Sequence, residues 1–221
     1  MKPKNNIPDG KNTKAFSILK KAVDRTTTGC LLVGITGAGG AGKTTFAQNV
    51  VHYYGNENSV TIDLDDYLLS REERGKLEVT GYNPKANRLY LARDHLESLG
   101  VGKEVYKPRY DHSTGKNLSE ELVKPKPLII VEGVTTLYPE LRELFQISFF
   151  LDAFEETQLK SRINRDVNKR GYSLEEALAL FEAIKPDYRR FIAPTKEHAS
   201  VIFQVDTAYV MHTVHIDDRL R

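Results

Sequence analysis

Two observations predict an α/β fold with a mostly parallel sheet covered on both faces. Short apolar runs alternate along the chain with longer helix-compatible segments. A glycine-rich loop, Gly37–Thr44, lies between the first of those runs and the helix-compatible stretch that follows. The 221 residues make about one domain, or one with a small appendage, and can bury a substantial core.

The elements follow in order. After a polar leader, Met1–Lys14, the spacing of Phe16, Ile18, Leu19, Ala22 and Val23 predicts a short amphipathic helix over Ala15–Thr26. Cys30–Ile35 is a continuous apolar run closed by glycine and reads as a buried strand. Thr44–Tyr53 is helix-compatible. Ser59–Leu64 is a second strand that runs into Asp63, Asp65 and Asp66. Asn87–Leu99 carries a helical apolar face and is ended by Gly100 and Gly102. Pro108–Pro127 reads as turn-rich, with a hairpin around Ser113–Lys116. Leu128–Val131 and Ile147–Leu151 are short strands, and Phe154–Lys169 is a charged helix. Ser173 opens a further helix through a capping box with Glu176, and that helix runs to near Lys185, before Pro186. Ser200–Val205 is a fifth strand, and Tyr209–Ile216 an additional edge strand. The expected division is a leader and short helix over 1–27, a main domain over 28–207 and a strand or tail over 208–221.

Composition narrows the function classes. A hydrophobic content of 40% with 28% charged residues fits a folded rather than a disordered chain. Lys and Arg number 32 against 30 Asp and Glu, so nothing points to general nucleic-acid binding. The single cysteine, Cys30, excludes an internal disulfide and a cysteine-built zinc cage; it reads as strand packing rather than a redox group. No apolar stretch approaches the ~20 residues of a membrane span, and the leader lacks the apolar core of a signal peptide. The expectation is a cytoplasmic protein without membrane or nucleic-acid partners, with a homo-oligomer left open.

Gly37-Ala38-Gly39-Gly40-Ala41-Gly42-Lys43-Thr44 meets the full P-loop pattern in its strand–loop–helix context, with Thr45 next in the helix. Glycines let backbone N–H groups converge on phosphates, and the helix start adds unpaired donors and a favourable dipole. Lys43 is placed to reach the terminal phosphates, and the Thr44 hydroxyl suits Mg²⁺. The fold class is therefore that of the P-loop nucleoside triphosphate hydrolases. Asp65, emerging from a strand end, suits either an acceptor-hydroxyl base or a metal-organising group; Asp63 and Asp66 compete for that role. Glu132 closes the run Leu128–Val131, where a carboxylate either binds Mg²⁺ or serves as a structural acid. Arg162, Arg165, Lys169 and Arg170 fall near one face of the charged helix. They either fork onto phosphates or belong to a solvated surface balanced by Glu155, Glu156 and Asp166.

These motifs in this order resemble the uridine kinase and phosphoribulokinase family of P-loop kinases over roughly Leu31–Val205. The resemblance is carried by Gly34–Thr45, Leu64-Asp-Asp-Tyr67, Tyr110-Asp111, Val131-Glu-Gly133, Arg165-Asp166, Lys169-Arg-Gly171, Lys185-Pro186 and Phe191–Lys196. It implies an ATP- or GTP-dependent, Mg²⁺-using kinase with Asp65 as base and Glu132 in the metal site. It also implies a helical lid around 155–196 that brings Arg162, Arg165 and Arg170 over the phosphates. The partner it implies is a small hydroxylated acceptor, a nucleoside or a sugar phosphate. Uridine and cytidine kinases, which phosphorylate a nucleoside 5′-hydroxyl, are the nearest named activity. The acceptor segment departs from theirs. Asn83-Pro-Lys-Ala-Asn-Arg88 stands where they carry aspartates, Gly115 stands where a histidine packs on the pyrimidine, and Tyr172 replaces an arginine. Lys85 and Arg88 either hold an anionic acceptor or project into water, and Arg109, Tyr110 and His112 complete the expected acceptor wall. The alternatives are a phosphoribulokinase-like kinase of sugar phosphates or other metabolites and, in a different class, a noncatalytic nucleotide-binding regulatory module.

Overall fold

The computed structural model describes residues 2–3, 12–26 and 29–220; most of the polar leader lies outside them. A six-stranded sheet is built from β1 (Leu31–Gly37), β2 (Ser59–Asp63), β5 (Leu128–Glu132), β6 (Ile147–Ala153), β7 (Val201–Val205) and β8 (Met211–Ile216). Its strand order is β2-β5-β1-β6-β7-β8. The first five are parallel, and β8 closes one edge antiparallel to β7. The run Leu31–Ile35 is buried on both faces, as a central strand demands.

Alternation along β1 divides the core in two. Leu31, Val33 and Ile35 face a layer made by α1 (Thr13–Arg25) and α2 (Lys43–Tyr54), where Phe16, Phe46 and Phe149 meet edge to face. Leu32 faces the other layer, with Leu89, Ala92, Leu96 and Leu99 of α4 (Leu89–Gly100) and with Leu137, Tyr138 and Leu141. Among the described residues no helix is long and apolar enough to cross a membrane.

Three regions differ from the sequence expectation. The segment expected to be turn-rich is a long hairpin, β3 (Val105–Asp111) and β4 (Lys116–Val123), which forms its own two-stranded sheet. Only its tip is a turn. Alternating burial along β3 was hidden by Pro108, where the register shifts. A short helix, α3 (Arg71–Lys76), was not anticipated, although Ser70 and Glu73 form a complete capping box. The helix opened by Ser173, α6 (Leu174–Asp187), continues through Pro186 into a π-helical turn, Tyr188–Ile192. It packs on α5 (Glu155–Arg170), the charged helix.

Candidate active site

The carboxyl ends of β1, β2 and β5 meet at one point, and the order of the strands places different chemistry on each. β1 delivers the P-loop. Asp63 of β2 and Ile35 of β1 both stand opposite Glu132 of β5, so two carboxylates and the loop share one rim. A cleft of 660 Å³ opens there, lined by Gly39, Lys43 and Thr44 from the loop and helix start, and by Asp63, Asp65 and Glu132.

Gly40 has φ of +89°, and a Cβ built there would lie 2.6 Å from the carbonyl oxygen of Gln158 on α5. Only glycine lets α5 approach so closely. Lys43 is 8% exposed and donates from Nζ to the carbonyls of Gly37 (3.1 Å) and Ala38 (3.0 Å). An ammonium has three N–H bonds, so one remains for the cleft. Burial pushes the Lys43 pKa down, against the charges of Glu132 and Asp65.

Glu132 is 3% exposed and accepts a hydrogen bond from Thr44 Oγ1 at 2.7 Å. Burial raises its pKa, with Lys43 and Thr44 opposing. Asp63 is pushed well above the usual carboxylate range, first by burial and then by the charges of Asp65 and Glu132. A buried hydroxyl–carboxylate pair beside an ammonium suits a hard divalent ion that takes its other ligands from phosphate and water. Among the described residues no three His, Cys, Asp or Glu side chains form a cage able to hold a metal by themselves.

The three aspartates after β2 are sorted by geometry. Asp66 turns away, pairs with the buried Lys107 and accepts from the Tyr110 N–H at 2.9 Å. Asp63 accepts from the Asp65 N–H at 2.9 Å and caps the short 3₁₀ turn Leu64–Tyr67. Asp65 remains, facing the cleft, with its Oδ2 3.3 Å from His112 Nε2 at the hairpin tip. Burial works against its ionisation, but the His112 contact, together with the charges of Lys43 and Arg170, holds its pKa well below the ordinary range.

On α5, Arg162, Arg165, Asp166 and Arg170 line the cleft, whereas Lys169 points to solvent. Asp166, 2% exposed, gathers the arginines: Arg165 Nε at 2.9 Å, Arg170 Nη1 at 3.2 Å and Arg162 Nη2 at 3.9 Å. Three guanidiniums around one carboxylate leave this wall positive. Burial and the neighbouring Arg165 lower the Arg170 pKa. This face of the helix is therefore not a solvated surface: Arg162 and Asp166 are buried, and Arg165 and Arg170 are only partly exposed.

The expected acceptor residues are brought together only in part. Tyr110 and His112 line the cleft. Lys85, Arg88 and Arg109 do not. Lys85 is exposed on the 3₁₀ turn Pro84–Ala86. Arg88 donates to Asn117 Oδ1 at 3.2 Å. Arg109 is 53% exposed and lies 3.7 Å from Glu121. The turn leaves Lys85 exposed and buries Ala86 instead, and the half-buried Arg88 that follows it is turned to Asn117. The cations on this wall are Arg71 and Arg74 of α3, which sequence reasoning missed. Arg71 donates to the His112 carbonyl (3.0 Å) and to Tyr172 Oη (2.9 Å), and Arg74 to the Leu69 carbonyl (3.1 Å) and to Tyr110 Oη (2.6 Å). Among the described residues neither has a carboxylate partner. Gly115, at φ +72°, is the complement: a Cβ there would lie 2.7 Å from Arg71 Cβ. Arg71 thus fills the space that a side chain at 115 would need.

Comparison with known proteins agrees with this geometry. Residues 32–211 match the model of the phosphoribulokinase / uridine kinase family. The chain is 37% identical to a phosphoribulokinase of Synechocystis, over 79% of this chain and 53% of that protein. It is 34% identical to a uridine kinase of Clostridium perfringens, over 78% of this chain and 86% of that one. It spans about half the length of the phosphoribulokinases it matches. Among solved structures, D-glycerate 3-kinase from Cryptococcus neoformans superposes with a TM-score of 0.65 at 16% identity, covering 96% of this chain and all (100%) of that one, a likeness of fold. The P-loop, the carboxylates at the strand ends and the family match agree: this chain belongs to the phosphoribulokinase / uridine kinase family of P-loop kinases.

Proposed function

We propose that this protein transfers the terminal phosphoryl group of ATP to a hydroxyl of a small phosphorylated sugar or a metabolite of similar charge. The observation that carries the acceptor class is the pair Arg71 and Arg74, two guanidiniums that line the same cleft as the P-loop and have no carboxylate partner among the described residues. Planar N–H forks match phosphate oxygens, whereas a neutral nucleoside gives them no charge to meet. The similarity to phosphoribulokinases supports the same class.

In this reading the P-loop N–H groups and Lys43 hold the donor phosphates, and Thr44 with Glu132 holds Mg²⁺. When bound, that ion neutralises charge on the phosphates. Asp65 orients the acceptor hydroxyl and takes its proton, and His112 fixes the Asp65 carboxylate. Arg162, Arg165 and Arg170 stabilise charge on the transferring group, and their common partner Asp166 holds them in one arrangement. GTP in place of ATP leaves these contacts unchanged, since all of them are to phosphates.

The test is a panel of pentose phosphates, other phosphorylated polyols, uridine and cytidine, compared by kcat/KM with ATP and Mg²⁺. The expected result is a phosphorylated acceptor used at least about a hundredfold better than either nucleoside, as loss of one or two charged hydrogen bonds would give. Efficient use of uridine would overturn the acceptor class and favour a uridine kinase. Nucleotide binding with no transfer to any acceptor would favour a regulatory module.

A further inference from the structure

Tyr82 links three parts of the cleft and keeps one hydrogen-bonding group unused. It lies between α3 and α4, is 7% exposed, and has its carbonyl braced by the Tyr138 hydroxyl. Its phenol oxygen accepts from the Gly39 N–H at 2.7 Å and from Arg162 Nη1 at 3.2 Å. A phenol offers one donor as well as acceptor lone pairs. The acceptor side is taken twice, and the O–H has no acceptor among the described residues. Arg162 Nε is likewise buried without a partner.

The two side chains converge on one point. A Cβ built on Gly39 would lie 2.7 Å from both Tyr82 Oη and Arg162 Nη1. The next carbonyl back along the loop, that of Ala38, is held by Lys43 Nζ. A hydroxyl with a free proton, a guanidinium and an ammonium therefore surround the cleft side of the P-loop. An oxygen-rich anion answers all three. An O–H whose oxygen already accepts two hydrogen bonds is polarised into a better donor.

We propose that Tyr82 is a terminal-phosphate contact: its phenol, held by the Gly39 N–H and Arg162, donates its O–H to an oxygen of the nucleotide's terminal phosphoryl group. The inference rests on the kinase reading above and adds to it a residue from the segment that leads to the acceptor wall. The phenol keeps its proton, and no covalent bond changes at it. The contact also ties α5 to the loop once a triphosphate is in place, because Arg162 and the phosphoryl group share one tyrosine.

The experiment needs no acceptor. Calorimetric titration with Mg·ATP and with Mg·ADP gives the ratio of the two dissociation constants for wild type and for Tyr82→Phe. Loss of one hydrogen bond to a charged group should weaken ATP by about tenfold or more and leave ADP within about twofold. Tyr138→Phe, which loosens only the backbone brace, should keep the wild-type ratio. Equal weakening of ATP and ADP in Tyr82→Phe, or no weakening of either, overturns the proposal. A second readout avoids any loss of fold: 3-fluorotyrosine at position 82 in the otherwise unchanged protein should shift its ¹⁹F resonance with Mg·ATP and much less with Mg·ADP. Equal shifts overturn the contact. Failure of wild type to bind either nucleotide would instead bring down the kinase reading itself.

Discussion

Thr44 Oγ1 stands 2.7 Å from Glu132 Oε1, joining the first turn of α2 to the end of β5 across 88 residues of sequence. The bond places a hydroxyl and a carboxylate side by side under the P-loop, and burial holds the carboxylate pKa above its ordinary value. The sign follows from that direction. A carboxyl whose folded pKa is raised is most favourable when protonated, and its contribution is lost as pH rises past the unfolded value. Above the ordinary carboxylate range the burial of Glu132 therefore weakens the nucleotide-free fold. Glu132→Gln should raise the thermal midpoint without nucleotide, by about 2–4 °C for each kcal/mol relieved in a chain of this size. The same variant should need much more Mg²⁺ for half-maximal turnover. Calorimetry and a Mg²⁺ titration check the two halves.

Lys43→Ala removes an ammonium anchored to the loop's own carbonyls. Turnover should fall by about 10²–10³-fold, the usual cost of deleting an electrostatic stabiliser from a dry site. Far-UV circular dichroism should be unchanged, because the strands and helices around the loop keep their own backbone hydrogen bonds. Thr44→Ala should lose turnover chiefly through weaker Mg²⁺ use. Steady-state rates at saturating substrate decide both.

Asp65 and Asp66 are sequence neighbours with opposite fates. Asp65→Asn should cost about 10²–10⁴-fold in kcat, the range of general-base assistance, with a smaller loss of stability than Asp66→Asn because Asp65 lies at the open cleft. Asp66→Asn leaves the buried Lys107 without its nearest carboxylate. It should cost on the order of 2–3 kcal/mol of stability, less than a fully buried pair because Glu121 still lies 3.5 Å from Lys107. Urea unfolding and kcat, measured on both variants, separate the roles. The depressed Asp65 pKa means its stabilising ionisation is fully present above the ordinary carboxylate value and is lost only as pH falls well below it. His112→Asn removes the contact that depresses it. The acid limb of the kcat/KM profile assigned to Asp65 should then move up towards the ordinary carboxylate range.

The pattern of residues revealed the layers of the sheet and the P-loop with the carboxylates beside it, because both rest on local rules. Buried strands show as apolar runs, and a P-loop must be glycine-rich and end in Lys-Thr. Glu132 was legible for the same reason: a carboxylate closing the apolar run Leu128–Val131 has few uses. The hairpin β3–β4 was not, because it leaves Tyr106, Leu118 and Leu122 exposed and breaks its own alternation at Pro108. Acceptor-side errors have a different cause. Sequence leaves Lys85 and Arg88 either holding an anionic acceptor or projecting into water; the 3₁₀ turn Pro84–Ala86 decides it for Lys85 by burying Ala86, and Asn117 takes Arg88. Arg71 and Arg74 look like surface charges in Arg71-Glu-Glu-Arg74. Only the capping box Ser70–Glu73 signalled a helix that could turn them to one side. Tyr82 carried no signal, since its partners Gly39 and Arg162 lie 43 and 80 residues away.

That reassignment makes the sharpest test of the acceptor. Replacing Lys85 and Arg88 together by Ala should leave every KM nearly unchanged, since neither lines the cleft and Arg88 loses only its bond to Asn117. Arg71→Ala and Arg74→Ala should each raise the KM of a phosphorylated acceptor by about 10–100-fold, the worth of one charged hydrogen bond. The KM for ATP should rise much less. Arg74 also donates to Tyr110 Oη at 2.6 Å, so its loss combines a missing phosphate contact with a loosened wall. Arg71, bonded to Tyr172 Oη and the His112 carbonyl, is the cleaner probe. Lysine at 71 keeps the charge but not the fork, and should recover only part of the affinity. If Arg71→Ala leaves the acceptor KM untouched while the Lys85 and Arg88 double variant raises it, Lys85 and Arg88 are the cations that meet substrate. The hairpin and the turn would then have to close differently around a bound acceptor.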